Sequence, residues 1–486
     1  MASHNFCCSL VKRVQISAFD IHLIVIDIRY NMLRFYFVAS VLLVITVTLK
    51  SSSSLPLVNT EKDCFTENSE AVRVFITISS LYVSTTDEGV VKRQLELNWL
   101  GGQCQPGDKI NVYSTDPTDT PTPKPLLSID PLHHPGGYFK TDIELPVRFF
   151  NLSTLIEHHC LGYWAAYVKK HDKEILSASC LRIRPFWMSE SERYISNLQL
   201  GEVMIPGSHD SGSFDFHREI APVSKYKYAQ EEPIFNQLVY GLRYFDLRVG
   251  YYKNSADKYY INHNFLRTEH SVKSVLNQVL KFIKATKEIV ILDFHNFPIG
   301  FKNKLVHFKL IRMITKTFGS YLIPHNHKYK TATFKDFWED DKRILVSYDS
   351  TIREIAPNLL WPSIPRAWGN KQHPEDLKAY FKQVFQKPTP EGLWASMAEL
   401  TPNTKTIVLH PETGLRIFAD QINRNVTHWF RDFYWQKANI VATDYFLGND
   451  IIDVAVQTNK YKGICPQSVW SQFVQNDDDD EISNFI

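Results

Sequence analysis

Two histidines, an arginine and several carboxylates fall where short apolar runs give way to polar sequence. His209 and Asp210 follow "EVMIPG"; Asp246 and Arg248 lie two apart in "GLRYFDLRV"; His263 ends "KYYINH". Asp293 and His295, again two apart, end "EIVILDFH", and Asp444 with Tyr445 closes "NIVATDYF". Residues two apart share one face of a strand. Two imidazoles, a guanidinium and orienting carboxylates are the parts for phosphoryl transfer without a metal. One imidazole takes the proton of the nucleophile, the other protonates the leaving group, and the cation meets the charge that builds on phosphorus. A polar cluster after a strand is also what an ordinary loop looks like, so the weight rests on how the segments are arranged.

From about residue 195, predicted strands alternate with helical patterns such as "SVKSVLNQVLKFIKAT", apolar at Val272, Val275, Leu276, Val279, Leu280 and Ile283, and "KLVHFKLIRMITKTF". The spacing predicts an α/β domain over 190–465, an irregular TIM-type (β/α) barrel whose strand ends converge on one rim. Pro206-Gly207 is expected to stop the first strand. A doubly wound sheet has the same texture, but no glycine-rich phosphate loop follows the first strand. Residues 60–185 read as an all-β sandwich placed before the barrel, with alternating runs "VRVFITISSLYV", "RQLELNWL" and "KINVYST" between turn clusters. The segment "LLWPSIPRAW" is expected to be barrel wall, and Lys225 and Lys227 a solvated loop.

Residues 1–55 form an N-terminal extension whose apolar run 35–49 has the length of a signal-peptide core or a signal anchor, with Met32 as a plausible start. Either places the remainder outside or in the lumen. The tail, 466–486, is acidic. A net charge of +2 gives no bulk attraction to nucleic acid. Of the 7 cysteines, Cys7 and Cys8 precede the apolar run; among the other five, Cys160 with Cys180 and Cys64 with Cys104 are the pairs guessed, leaving Cys465 over. Asn151 and Asn425 sit in glycosylation triplets.

Taken in order, "IPGSHDSGSF", "GLRYFDLRV", the His of "INHNF", "EIVILDFHNF", "LLWPSIPRAW" and "TDYF" resemble the phosphatidylinositol-specific phospholipase C X-domain-containing proteins. The resemblance covers 190–465. It implies that His209 takes the proton from the inositol 2-hydroxyl and that His263 protonates the departing diacylglycerol oxygen. Arg248 then stabilises the pentacoordinate phosphate, Asp246 supports the acid histidine, Asp210 follows the base, and Asp444 orients it. Asp293, His295 and Tyr445 are expected to face the substrate. The family carries glycine after the second histidine; this chain has Asn264. The implied products are diacylglycerol and a cyclic inositol phosphate, made at a phospholipid membrane surface. No metal is expected. The calcium-dependent relatives carry two carboxylates where this chain has Asp246 and Arg248, and a guanidinium cannot ligate calcium while already supplying its charge. The rival readings are a headgroup-binding module without turnover and a metal-dependent phosphodiesterase barrel of another substrate class.

Overall fold

Alternation sets the first part of the molecule. The computed structural model describes residues 72–83, 90–119, 122–156, 159–171, 173–215 and 225–465. The apolar run 35–49, the Met32 start, Cys64 and the acidic tail 466–486 lie outside the described residues. In β1 (Arg73–Ile78) and β2 (Gln94–Leu100), Val74, Ile76, Leu95 and Leu97 alternate with Thr77, Glu96 and Asn98, which are also buried and hydrogen-bond one another. β1 pairs with β2, and β2 with β5 (Tyr138–Glu144), all antiparallel. A second antiparallel sheet runs β4 (Leu127–Ile129), β3 (Lys109–Tyr113), β6 (Cys160–Val168), β7 (Ile175–Arg182). Val74, Ile76, Leu95 and Leu97 of the first sheet share one apolar cluster with Ile110, Val112, Ala165 and Leu181 of the second.

Cys160 and Cys180 form a disulfide across β6 and β7, as guessed. The other guess fails. Cys104 is a free thiol packed against the apolar cluster, and Cys465, expected to be left over, is itself disulfide-bonded. Pairing depends on which loops meet in space, and spacing along the chain does not encode that.

The second part is built on parallel strands. Their order is β14 (Arg366–Trp368), β15 (Ala395–Met397), β16 (Ile440–Thr443), β8 (Ile205–Ser208), β9 (Tyr244–Tyr251), β12 (Val290–Ile299), β13 (Ile344–Tyr348). Among the described residues no ladder joins β13 to β14. Trp361 bridges the seam instead, its N–H donating to Val346 O at 2.8 Å and its carbonyl accepting from Tyr348 N at 3.1 Å.

Pro206 and Gly207 lie inside β8 rather than ending it. Ile205 N and His209 N point toward β16, donating to Asn439 O and Thr443 O. The nitrogen of Pro206 therefore faces the β9 side one residue before that pairing starts, where no donor is needed. Gly207 is required by contact, since a Cβ there would come within 2.7 Å of the Tyr244 ring.

β8 is short, and this shapes the rim. Where it ends, the antiparallel β10 (Tyr259–His263) takes the flank of β9, pairing Val249 with Ile261, and β11 (Leu266–Ser271) pairs with β10. His263 is thereby carried to the end at which His209 emerges.

Helices cover the outside. α1 spans Ile234–Tyr240. α2 (Val272–Ala285) starts at Ser271, whose hydroxyl accepts from Ser274 N, a cap that stabilises by about 1 kcal/mol. It buries Val272, Val275, Leu276, Val279, Phe282 and Ile283, one stripe of helical period. α3 (Lys304–Phe318), α4 (Pro374–Gln386), the short α5 (Thr404–Leu409), α6 (Gly414–His428) and α7 (Ile451–Ile464) complete the set used below. None of the described helices is long and apolar enough to cross a membrane.

Candidate active site

The polar residues at the strand ends come together. His209, just past β8, has its Nδ1 2.8 Å from Asp444 Oδ1, just past β16. Its Nε2 accepts from Arg248 Nη2 at 2.5 Å and lies 4.0 Å from Asp246 Oδ2. The backbone holds the ring in place: His209 N donates to Thr443 O, and Gln230 Nε2 donates to both His209 O and Thr443 O at 2.8 Å. His263 Nδ1 lies 3.1 Å from the carbonyl of Lys227, and its Nε2 lies 3.9 Å from Asp210 Oδ2.

Each of the strand ends bearing His209, His263 and Asp444 is followed by a non-glycine residue in the left-handed region: Asp210 (φ 40°), Asn264 (φ 51°) and Tyr445 (φ 43°). That conformation turns the chain sharply away and leaves the functional side chain at the tip. It also accounts for Asn264 standing where the family has glycine, since Asn is among the side chains that adopt this region most readily.

The carboxylates divide the work differently from expectation. Asp246, expected beside the acid histidine, instead accepts from His295 Nδ1 at 2.7 Å, Arg248 Nη2 at 3.3 Å and the backbone N of Asp210 at 3.1 Å. It is Asp210 that approaches His263. Asp293 accepts from the Tyr244 hydroxyl at 2.8 Å and from Arg366 Nη2 at 2.7 Å, so it anchors Arg366 rather than meeting a substrate directly. Tyr445 is buried, its phenol donating to Tyr228 O at 2.6 Å and its ring under the Arg416 guanidinium, a scaffold position instead of a substrate-facing one. His295 does border open space. With Asn296, Phe297, Phe301, Lys302 and Asp349 it lines a cleft of about 530 Å³.

Lys225 and Lys227 are not a solvated loop. Lys225 is buried with its Nζ on Glu412 O, and Lys227 Nζ bonds Glu269 and the Tyr228 hydroxyl. "LLWPSIPRAW" supplies the seam residue Trp361, the site residue Arg366 and the exposed Trp368. Asn151 is exposed in a turn. Asn425 lies within α6, with the Thr427 hydroxyl of its triplet buried and bonded to Asn423 O.

Sequence reasoning missed Glu399, two residues beyond β15. It is 3% exposed, and neither carboxylate oxygen has a hydrogen-bond partner among the described residues. Burial pushes its pKa up to about 7, with His209 and Arg248 pulling against that. An acid inside the apolar "ASMAEL" is the one signal the sequence offered.

The site's electrostatics follow from these neighbours. Burial alone would lower the pKa of His209, but Asp444 and Glu399 raise it to about 9. The hydrogen bond from Arg248 needs a lone pair on Nε2 and so a neutral ring. The carboxylates decide how firmly the ring keeps a proton once it has one. Burial, with Arg248 and His209, drives His263 down to about 4. Burial raises Asp210 to about 7. Burial also opposes charge on Asp246, yet His295 and Arg248 hold it well below the usual carboxylate range. Arg248 is kept firmly charged against its own burial by Asp246, Asp210 and Glu399. Among the described residues no group of three or more His, Cys, Asp or Glu side chains is arranged to hold a metal ion.

No family model matches the chain. It is 28% identical over 307 residues to PI-PLC X domain-containing protein 3 of Mus musculus, spanning 56% of this chain and 92% of that protein. It is 24% identical over 300 residues to PI-PLC X domain-containing protein 1 of Mus musculus, spanning 56% and 86%. Over that span the chain is similar to the PI-PLC X domain-containing proteins. Among solved structures, a phosphatidylinositol-specific phospholipase C from Staphylococcus aureus aligns at TM-score 0.43 and 15% identity, covering 57% of this chain and 97% of that one. The family's members are covered almost whole by little more than half of this chain, which leaves the remainder without a counterpart in them.

Proposed function

We propose that the chain is a metal-independent phosphodiesterase of the phosphatidylinositol phospholipase C kind, with 190–465 as its catalytic domain, closed as an irregular barrel, and 60–185 as an accessory sandwich. One observation carries this reading: His209, paired with Asp444 through Nδ1, presents its Nε2 to Arg248. In the resting site Arg248 occupies that lone pair. A substrate phosphate draws the guanidinium to itself and frees Nε2 to accept the 2-hydroxyl proton of an inositol headgroup. The 2-oxygen bonds to phosphorus, the bond from phosphorus to the glycerol oxygen breaks, and His263 gives that oxygen its proton. The products are diacylglycerol and a 1,2-cyclic inositol phosphate. His263 holds a proton poorly in the empty site, but an arriving phosphate anion favours the imidazolium, and Asp210, with a pKa near neutrality, is placed to resupply it. Arg248 supplies the positive charge that a divalent cation would otherwise bring.

Support for a membrane-borne substrate comes from the rim. Phe265 is 79% exposed directly after His263-Asn264, Trp368 is exposed at the end of β14, and Val408 is 69% exposed on α5. Tyr226 bonds His410 O, two residues beyond Val408, and Trp368 Nε1 bonds Thr401 Oγ1. Exposed apolar side chains gathered round a site suit contact with lipid.

The test is release of inositol phosphate from phosphatidylinositol vesicles in excess EDTA, with His209→Ala alongside. Turnover that survives chelation and disappears in the variant is expected. Turnover seen only with added calcium would defeat the metal-independent reading, and vesicle binding without turnover would favour a binding module.

A further inference from the structure

The β-sheet module is joined to the base side of the site by buried charge. Arg93, directly before β2, takes the left-handed conformation (φ 55°) and is 3% exposed. Its Nη2 donates to Glu232 Oε1 at 2.8 Å, and its Nη1 lies 3.8 Å from Glu231 Oε2. Glu231 Oε2 also accepts from Arg416 Nη1 at 3.2 Å. Arg416 is shared with the module as well: its Nη1 donates to Ser80 O, and the Ser80 hydroxyl donates to Arg416 O, each at 3.0 Å. Glu232 Oε2 accepts from Asn236, whose amide also donates to Arg148 O at 2.8 Å.

This cluster adjoins the base by two covalent steps. Glu231 follows Gln230, the side chain that grips the carbonyls of His209 and Thr443. Arg416 lies 4.3 Å from the ring centroid of Tyr445, the residue after Asp444, and Tyr445 N donates to Ala229 O. The segment 228–232 is therefore held from one side by the module and itself holds both members of the His209–Asp444 pair.

We infer that Arg93 is a positioning residue for the base: the N-terminal β-sheet module, through Arg93 and Ser80, fixes the segment 228–232 and Arg416 and thereby sets the His209–Asp444 geometry. The module is on this view part of the site's frame. Buried charge suits such a task because its partners are specified by geometry, whereas apolar contact tolerates sliding. A separate ion pair, from Arg184 Nε just past β7 to Asp453 Oδ1 at 2.6 Å, reaches α7, away from the residues named above as bonded to His209, Thr443 and Tyr445.

The inference rests on the proposed function only for its kinetic arm. The variants are Arg93→Gln, the double variant Arg93→Met with Glu232→Gln, which leaves no orphaned charge between those two, and Arg184→Gln as a control for attachment of the module alone. The readouts are the titration and Nδ1–H signal of His209 by NMR in the full chain, and kcat and KM on phosphatidylinositol vesicles. Arg93→Gln and the double variant are expected to shift the His209 titration and to lower kcat roughly ten- to a hundred-fold with KM little changed. Arg184→Gln is expected to leave both as in the parent. A folded Arg93 variant with the parent's His209 titration overturns the inference, as does an Arg184→Gln protein that shifts it equally. If Arg93→Gln does not fold, the double variant decides. If the parent turns over no inositol lipid, the functional reading fails while the His209 titration still decides the positioning role.

Discussion

Replacing Asp444 by Asn keeps an acceptor 2.8 Å from His209 Nδ1 and removes its charge. Asp444 is the largest of the influences that raise His209, so the variant's imidazole should titrate well below the parent's value of about 9. The consequence for stability has a definite sign. A histidine whose folded pKa exceeds its unfolded value of 6.5 adds stability that is fully present below pH 6.5 and is lost as pH rises through about 9. That difference corresponds to roughly 3 kcal/mol, at 1.36 kcal/mol for each pH unit of displacement. Urea unfolding of parent and Asp444→Asn at pH 6 and at pH 9.5 measures it. The parent's advantage over the variant should shrink by up to about 3 kcal/mol across that range. In parallel, kcat should fall by about two to four orders of magnitude, because the ring loses the negative charge that stabilises its imidazolium. An advantage that stays the same at both pH values would refute the claim that the pair binds its proton more tightly in the folded chain.

Glu399→Gln should behave in the opposite sense. A carboxyl raised from 4.5 to about 7 costs stability that accrues as pH climbs from 4.5 and is complete above 7, so the variant should be more stable than the parent by up to about 3 kcal/mol at pH 8 and little different at pH 4.5, read by urea midpoint, while turnover declines. His263→Ala should lose most activity toward an alkyl-ester substrate but far less toward one whose leaving group is a nitrophenol, since a good leaving group needs no proton; equal losses on both would remove the general-acid role. Phe265→Asp with Val408→Asp should weaken vesicle sedimentation and vesicle hydrolysis while sparing a water-soluble phosphodiester, whereas equal effects on both would place these residues in folding or chemistry.

Much of the scaffold could be read from periodicity because the elements concerned are long enough to show it. The stripe of α2 and the whole span of α3 follow from spacing, as do the strands that deliver His209, Asp246, Arg248, His263 and Asp444. β14 and β15, three residues each, are too short for any period to register, and so Arg366 and Glu399 went unplaced. Partners chosen in three dimensions were beyond reach for another reason. Nothing along the chain says that Asp246 meets His295 while Asp210 meets His263, or that Cys465 is bridged while Cys104 is not. Proline inside β8 misled because a missing donor matters only where a neighbour would have used it.

The seam at Trp361 has a consequence for motion. Every other junction in the parallel series is a ladder, but β13 and the segment leading into β14 are tied by the two backbone bonds of Trp361, the Ser347 hydroxyl on Pro362 O and the Arg366–Asp349 ion pair, with Arg366 also gripping Asp293 on β12. A join of so few bonds is the natural first unit to open, so the amides of Trp361 and Tyr348 should exchange with solvent deuterium ahead of those along β8 and β16. Because Arg366 rests on that same edge and holds Asp293, such breathing would reach the site from its β14 side.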